Sequence, residues 1–182
     1  MDNTSSSQLL AQYNRWMNHR LYACAAQLPR AELMRERGAF FGSIFGTLNH
    51  LAVADTIWLK RFATHPACSD ALQALGKTAM PTRLDQLLFN ELVGLTDYRE
   101  WLDGLIIALT DTLDAAAMDT ALSYHNTRGV PATRQLHALL LHLFNHQTHH
   151  RGQATTLLMQ AGIDPGITDL LALIAEMEST SG

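Results

Sequence analysis

Residues 141–162 read LHLFNHQTHHRGQATTLLMQAG, and the spacing within this stretch decides the fold. Placed about 100° apart on a helical wheel, Leu139, Leu143, His146, His150 and Leu157 share one sector. The stretch is therefore an amphipathic helix, predicted to run from an N-cap at Thr133 to about Ala161, with Gly162 as its C′ residue. His146 and His150 lie one turn and only about 40° apart, in the middle of the face that turns to a core. Imidazoles on a buried face must find partners, whereas exposed ones need none.

Outward from this helix, the same 3.6-residue pattern recurs. Residues 8–28 carry Leu9, Leu10, Tyr13, Trp16, Met17 and Leu21, with Ser5–Ser7 as candidate N-caps and Pro29 as the stop. Residues 42–63 carry Ile44, Leu48, Leu51, Ile57, Trp58 and Phe62, closed by Pro66. Residues 65–81 read as a loop with at most one weak turn of helix. A long helical pattern then fills residues 82–118, with Gly94 and Gly104 as candidate kinks. Residues 122–136 hold a turn signal at Asn126–Gly129 between β-prone pieces, which predicts a small hairpin. Residues 167–177 form a short terminal helix. Four long helices with short connections predict an all-α four-helix bundle, and 182 residues predict a single domain spanning 1–182.

Bulk composition narrows the function classes. Hydrophobic residues make up 47% and charged residues 16%, the balance of a globular chain. The net charge is −4 and the 13 Lys and Arg are scattered, so no basic stripe offers itself to nucleic acid. Cys24 and Cys68 are too few for a disulfide framework and lie in no CxxC, which predicts inert reduced thiols. The first residues, MDNTSSSQLL, lack a signal-peptide pattern, and no apolar run reaches about 18 residues, so a cytoplasmic location without a membrane span is expected.

An i, i+4 histidine pair directs two nitrogens toward one point, as zinc-binding helices do. A third ligand is required, and His50 is the best candidate because it shares its sector with Thr47, Ala54 and Ile57. His65, beside Pro66, and His19, near a helix end, are poorer choices, and His149 lies toward the edge of the apolar sector. Three neutral imidazoles leave coordination positions open, the arrangement of a reactive rather than a closed structural site. They suit Zn²⁺, Ni²⁺, Fe²⁺ or Co²⁺ without ligand type deciding among them, and zinc or nickel is the first expectation. Gln147 stands where an HExxH peptidase has its glutamate base, which disfavours that chemistry. Asp55 falls about 140° from His50 and so faces another helix or solvent. Gln153 is placed to hydrogen-bond a ligating imidazole, and Tyr124 and His125 to overhang the pocket mouth. Tyr13 and Asn14 either line that pocket or pack helices together. Arg151 points to an ion pair or an interface, Gly152 to a close helix approach, and the three tryptophans to packing.

Three pieces carry a family likeness: YNRWMNHRL (13–21), LNHLAVADTIWLKR (48–61) and LHLFNHQTHHRGQATTLLMQAGIDP (141–165). In order and spacing the chain resembles the DinB-type (DinB/YfiT-like) metalloenzymes over nearly its whole length. The resemblance implies a four-helix bundle with a divalent metal held by three histidines, which fall here on His50, His146 and His150. It further implies a homodimer and a small-molecule substrate. Some relatives look like transferases or isomerases that use a low-molecular-weight thiol, and others are grouped as hydrolases. Two functional classes follow: an enzyme whose metal activates water or a small thiol, or a metal-containing stress-response or binding module without turnover.

Overall fold

The computed structural model describes residues 3–180. Four long helices dominate it: α1 (Asn3–Ala25), α3 (Ile44–Phe62), α5 (Leu92–Thr112) and α7 (Leu136–Gln160). Short helices α2 (Arg30–Met34), α4 (Pro66–Ser69) and α6 (Ala115–Met118) sit in the connections, with one 3₁₀ turn at Gln73–Lys77, and α8 (Leu170–Thr180) ends the chain. Helix α1 packs on α5 and α7, and α3 packs on the same two. The bundle thus puts α1 and α3 on one diagonal and α5 and α7 on the other. Helices α3 and α7, which carry the histidines, are neighbours. Leu48, Leu51, Leu102, Ile106, Leu140 and Leu143 are among the buried residues filling the space between them. Among the described residues, no helix is long and apolar enough to cross a membrane.

Local chemistry sets the boundaries, and several differ from the periodicity. Helix α1 is under way at Asn3, so Ser5–Ser7 lie in its first turns instead of capping it. The cap of α3 is Ser43, whose Oγ accepts from the Gly46 N–H at 3.0 Å. Helix α3 ends at Phe62, and His65 then caps α4, its Nδ1 accepting from the Ala67 N–H at 3.2 Å. The largest departure is at residues 82–91, where a helix was expected and none forms. There the Gln86 side-chain oxygen accepts from the Thr82 N–H at 2.9 Å. Asn49, reaching over from α3, donates to the Gln86 carbonyl and accepts from the Leu88 N–H at 2.8 Å. These side-chain bonds replace the helical ladder, and α5 begins only at Leu92. It then runs unbroken through Gly94 and Gly104 to Thr112.

The expected hairpin is present: β1 (Ala121–His125) pairs antiparallel with β2 (Pro131–Gln135), with Ser123 opposite Thr133. Asn126 closes the turn, its Oδ1 accepting from the N–H groups of Arg128 and Val130 at 2.9 and 3.0 Å. Thr133 therefore belongs to a strand, and α7 starts at Leu136. Its other end follows the sequence, with Gly162 at φ +81° and the Ile163 N–H returning to the Leu158 carbonyl at 3.0 Å.

Candidate metal centre

His50 comes from α3, and His146 and His150 from adjacent turns of α7. One ring nitrogen from each lies within 4.8 Å of the other two. Two contacts set the tautomers. His50 Nδ1 stands 2.9 Å from the Leu84 carbonyl, which can only accept, so Nδ1 carries the proton and Nε2 presents a lone pair. Gln153 donates its amide to His149 Nε2 at 3.3 Å, leaving its oxygen to accept from His150 Nδ1 at 2.8 Å. His150 Nε2 is then a lone pair too.

His146 completes the cluster differently. Its Nε2 lies 3.4 Å from His50 Nε2, and its buried Nδ1 has no hydrogen-bond partner among the described residues. Two nitrogens bound at about 2.0–2.1 Å to one tetrahedral ion stand about 3.4 Å apart, so this pair has the separation a shared cation requires. Burial pushes His50 down to about 4. It pushes His146 to about 3, with charge on His150, His50 and nearby imidazoles adding to the effect. His150 is lowered by burial as well. All three rings are neutral at pH 7, as metal ligands must be. Lone pairs crowded together and incompletely satisfied by one another fit a divalent cation, and the cluster is compatible with a metal-binding site.

Phe41 roofs this cluster. Its ring stacks on His50 with centroids 3.7 Å apart and planes 16° from parallel, and it meets His150 edge-on at 5.5 Å. Gly46 makes that position accessible, because a Cβ there would fall 2.1 Å from the Phe41 carbonyl oxygen. Gly46→Ala is expected to force Phe41 away from His50 and to destabilise the fold by about 1–3 kcal/mol. Urea denaturation measures the stability loss. The His50 ring-proton shifts in an NMR spectrum, freed of the Phe41 ring current, report the displacement.

Beneath the histidines lies a buried charged layer. Asp55, wholly buried, accepts from Arg99 Nη1 at 2.5 Å and from Gln147 Nε2 at 2.8 Å. Arg99 also pairs with Asp103 at 3.0 Å, and Asp103 accepts from Asn14 and Asn18 at 2.8 and 2.9 Å. Arg151 donates to Asn14 and lies over the Tyr13 ring, 5.1 Å from its centroid. Of the two orientations open to Asp55, the solvent one is thus excluded. Gln147 is a tie between α7 and α3. The Tyr13 hydroxyl donates to the Thr168 carbonyl and ties α1 to the segment before α8, and Asn14 ties α1 to Asp103 of α5. Gly152 has open space where its Cβ would stand, so it does not mediate a close helix approach.

The remaining residues fall into place around this centre. His65 bonds Thr120 Oγ1 at 3.0 Å and, like His19, lies outside the cluster. His149 meets the His150 ring edge-on, with centroids 4.8 Å apart, and accepts from Gln153, but it contributes no nitrogen to the cluster. Tyr124 and His125 line a cavity of about 520 Å³ that Leu84 borders as well. Trp58 packs on Tyr124 and His142, with centroids 5.4 and 5.0 Å apart, and Trp101 packs on Tyr98 at 5.3 Å. Both cysteines are free and buried, and burial raises both thiols, Cys68 to about 12, so neither is a ready thiolate. Three participants went unforeseen: Phe41, the Leu84 carbonyl and Arg99. Only Arg99 left a signal, as a cation on the helical sector of Leu95, Leu102 and Ile106.

Comparison with known proteins agrees with this architecture. The chain is 26% identical over 165 residues to Protein DinB of Bacillus subtilis (strain 168), an alignment covering 88% of each chain. Residues 1–179 match the DinB family model. With the bundle, the hairpin before α7 and the three-histidine cluster all in place over that span, the chain belongs to the DinB family.

Proposed function

We propose that this protein is a metal-dependent enzyme in which His50, His146 and His150 hold a divalent cation, zinc or nickel first. What carries the reading is the meeting of three neutral imidazoles from two helices, two of them locked in the Nε2 lone-pair tautomer by Leu84 and Gln153. When bound, such a cation supplies Lewis acidity that lowers the pKa of a water or a small thiol into the neutral range. The chain's own residues do the rest. Leu84 and Gln153 orient two of the rings, and Phe41 shields the His50–His150 side from solvent. Among the described residues no carboxylate joins the cluster, and Asp55 is occupied by Arg99 and Gln147. His142, 6.0 Å from His146 between ring centroids and lowered by burial, is neutral at pH 7 and able to accept a proton.

Protein purified without a histidine tag and reconstituted with Co²⁺ tests this reading. One equivalent of metal is expected. A visible charge-transfer band on adding glutathione or another small thiol supports thiol transfer. An unchanged spectrum with turnover of an ester panel supports hydrolysis. Full metal occupancy with neither response favours the binding module, and metal well below one equivalent sinks the site altogether.

A further inference from the structure

The cavity beside the histidines has a sign opposite to the molecule's. Its lining includes Arg61, Arg83 and His125 and contains no carboxylate, although the chain's net charge is −4. Of the two arginines, Arg83 is neutralised by Asp85 at 2.7 Å. Arg61 is not: among the described residues no carboxylate pairs with its guanidinium. It lies instead against two aromatic rings, 4.7 Å from the Trp58 ring centroid and 5.1 Å from that of Tyr124. Such cation–π contacts engage the charge without using a guanidinium N–H as a conventional donor, which leaves those groups for a ligand. Half-buried and without a counter-ion, Arg61 is a cation awaiting an anion.

We infer that this cavity binds the carboxylate of an elongated small molecule, with Arg61 as the anchoring residue. One unneutralised guanidinium matches one negative charge in a bidentate pair, which favours a carboxylate over a doubly charged phosphate. The volume, about 520 Å³, is that of a small-molecule site. Direction follows from the helix. Arg61 stands eleven residues after His50 on α3, about 16 Å along the axis. The wall between them includes Ile57 and Leu84, the residue whose carbonyl holds His50. An anchored molecule lies along this apolar wall with its far end toward the histidines. Ser123 and Thr82, also on the lining, offer hydroxyls to polar atoms along the way. The anchoring stands on the cavity alone, whereas placing the reacting end at the histidines rests on the metal-site reading.

Hexanoate and hexanamide, alike in shape and different in charge, separate these two parts when titrated by calorimetry into metal-free and metal-loaded protein. Metal-free wild type is expected to bind the acid on the order of tenfold more tightly than the amide, the worth of one charge-assisted pair. Arg61→Gln should erase the preference and Arg61→Lys should retain part of it, each with its melting temperature checked against wild type. Arg83→Gln should keep it. Equal binding of acid and amide, no saturable binding of the acid, or undiminished preference in Arg61→Gln overturns the anchor. Inorganic phosphate displacing hexanoate more strongly than acetate does overturns the carboxylate assignment. A preference that persists in metal-free His146→Ala shows the anchor standing whether or not the metal site does.

Discussion

His146→Ala should lower the affinity for Zn²⁺ or Ni²⁺ by more than about a hundredfold, since loss of a mere supporting contact to a metal ligand already costs 10–100-fold. His146 is the most informative of the three positions because its Nε2 stands 3.4 Å from His50 Nε2 and its buried Nδ1 has no hydrogen-bond partner among the described residues. His149→Ala is the matched control. It removes a neighbouring imidazole that packs edge-on against His150 and bonds Gln153 but contributes no nitrogen to the cluster, and metal binding should change little. Competition titration with a chromophoric chelator reads both variants, and equal affinities for the two would remove His146 from the site. The same titration across pH carries a second expectation. Protons compete for His50 and His146 only near the lowered values of about 4 and 3, and burial lowers His150 as well. Affinity should therefore hold as pH falls through about 6.5, where ordinary histidines let go. The metal-free fold behaves oppositely. Between about 6.5 and 4 the unfolded chain takes up protons that folded His50 refuses, so stability is full above this window and falls on acidification through it. Urea midpoints at neutral and acidic pH, with and without zinc, distinguish the two trends.

Much of this was legible because helical periodicity and ligand geometry point the same way. Leu139, Leu143 and Leu157 mark the buried face of α7, and that face alone selects His146 and His150 from the chain's nine histidines. The sector shared with Thr47, Ala54 and Ile57 does the same for His50, and all three rings meet in space. Gly162 announces the end of α7 because a positive φ is a one-residue requirement. What stayed hidden depends on contacts distant in sequence. Residues 82–91 carry an adequate helical pattern, but Asn49 and Gln86 claim their backbone groups, and that irregular path delivers the Leu84 carbonyl to His50. No local signal marks such a carbonyl. Phe41 was hidden for the same reason, since its place over His50 depends on a clearance at Gly46 that composition does not express. Asp55 was ambiguous by its wheel angle alone. Its bearing became decisive only with Arg99 of α5 facing it.

That pairing supports the other large effect. Asp55→Ala should destabilise the protein by about 3–5 kcal/mol, the cost of leaving a buried charge without its partner. Arg99 and Asp55 are 2% and 0% exposed at their side chains, so water cannot replace what is lost. Burial alone would pull the Arg99 guanidinium down, yet Asp103 and Asp55 hold it above its ordinary value, so it stays charged in the variant. Against a typical total of 5–15 kcal/mol, such a loss takes much of the available stability. The consequence for the site follows from position. Asp55 lies five residues after His50 and Gln147 one after His146, so the Asp55–Gln147 bond holds α3 and α7 in the register that brings the imidazoles together. Gln147→Leu isolates that tie: it leaves Arg99 paired, should cost about 1–3 kcal/mol, and should still weaken metal affinity through misregister. A double-mutant cycle in urea then separates charge from register. If Asp55→Ala costs no more than a surface substitution, or if Gln147→Leu loses stability with metal affinity intact, the layer is packing alone. If both weaken metal binding, the polar layer is the device that keeps three histidines on two helices within reach of one ion.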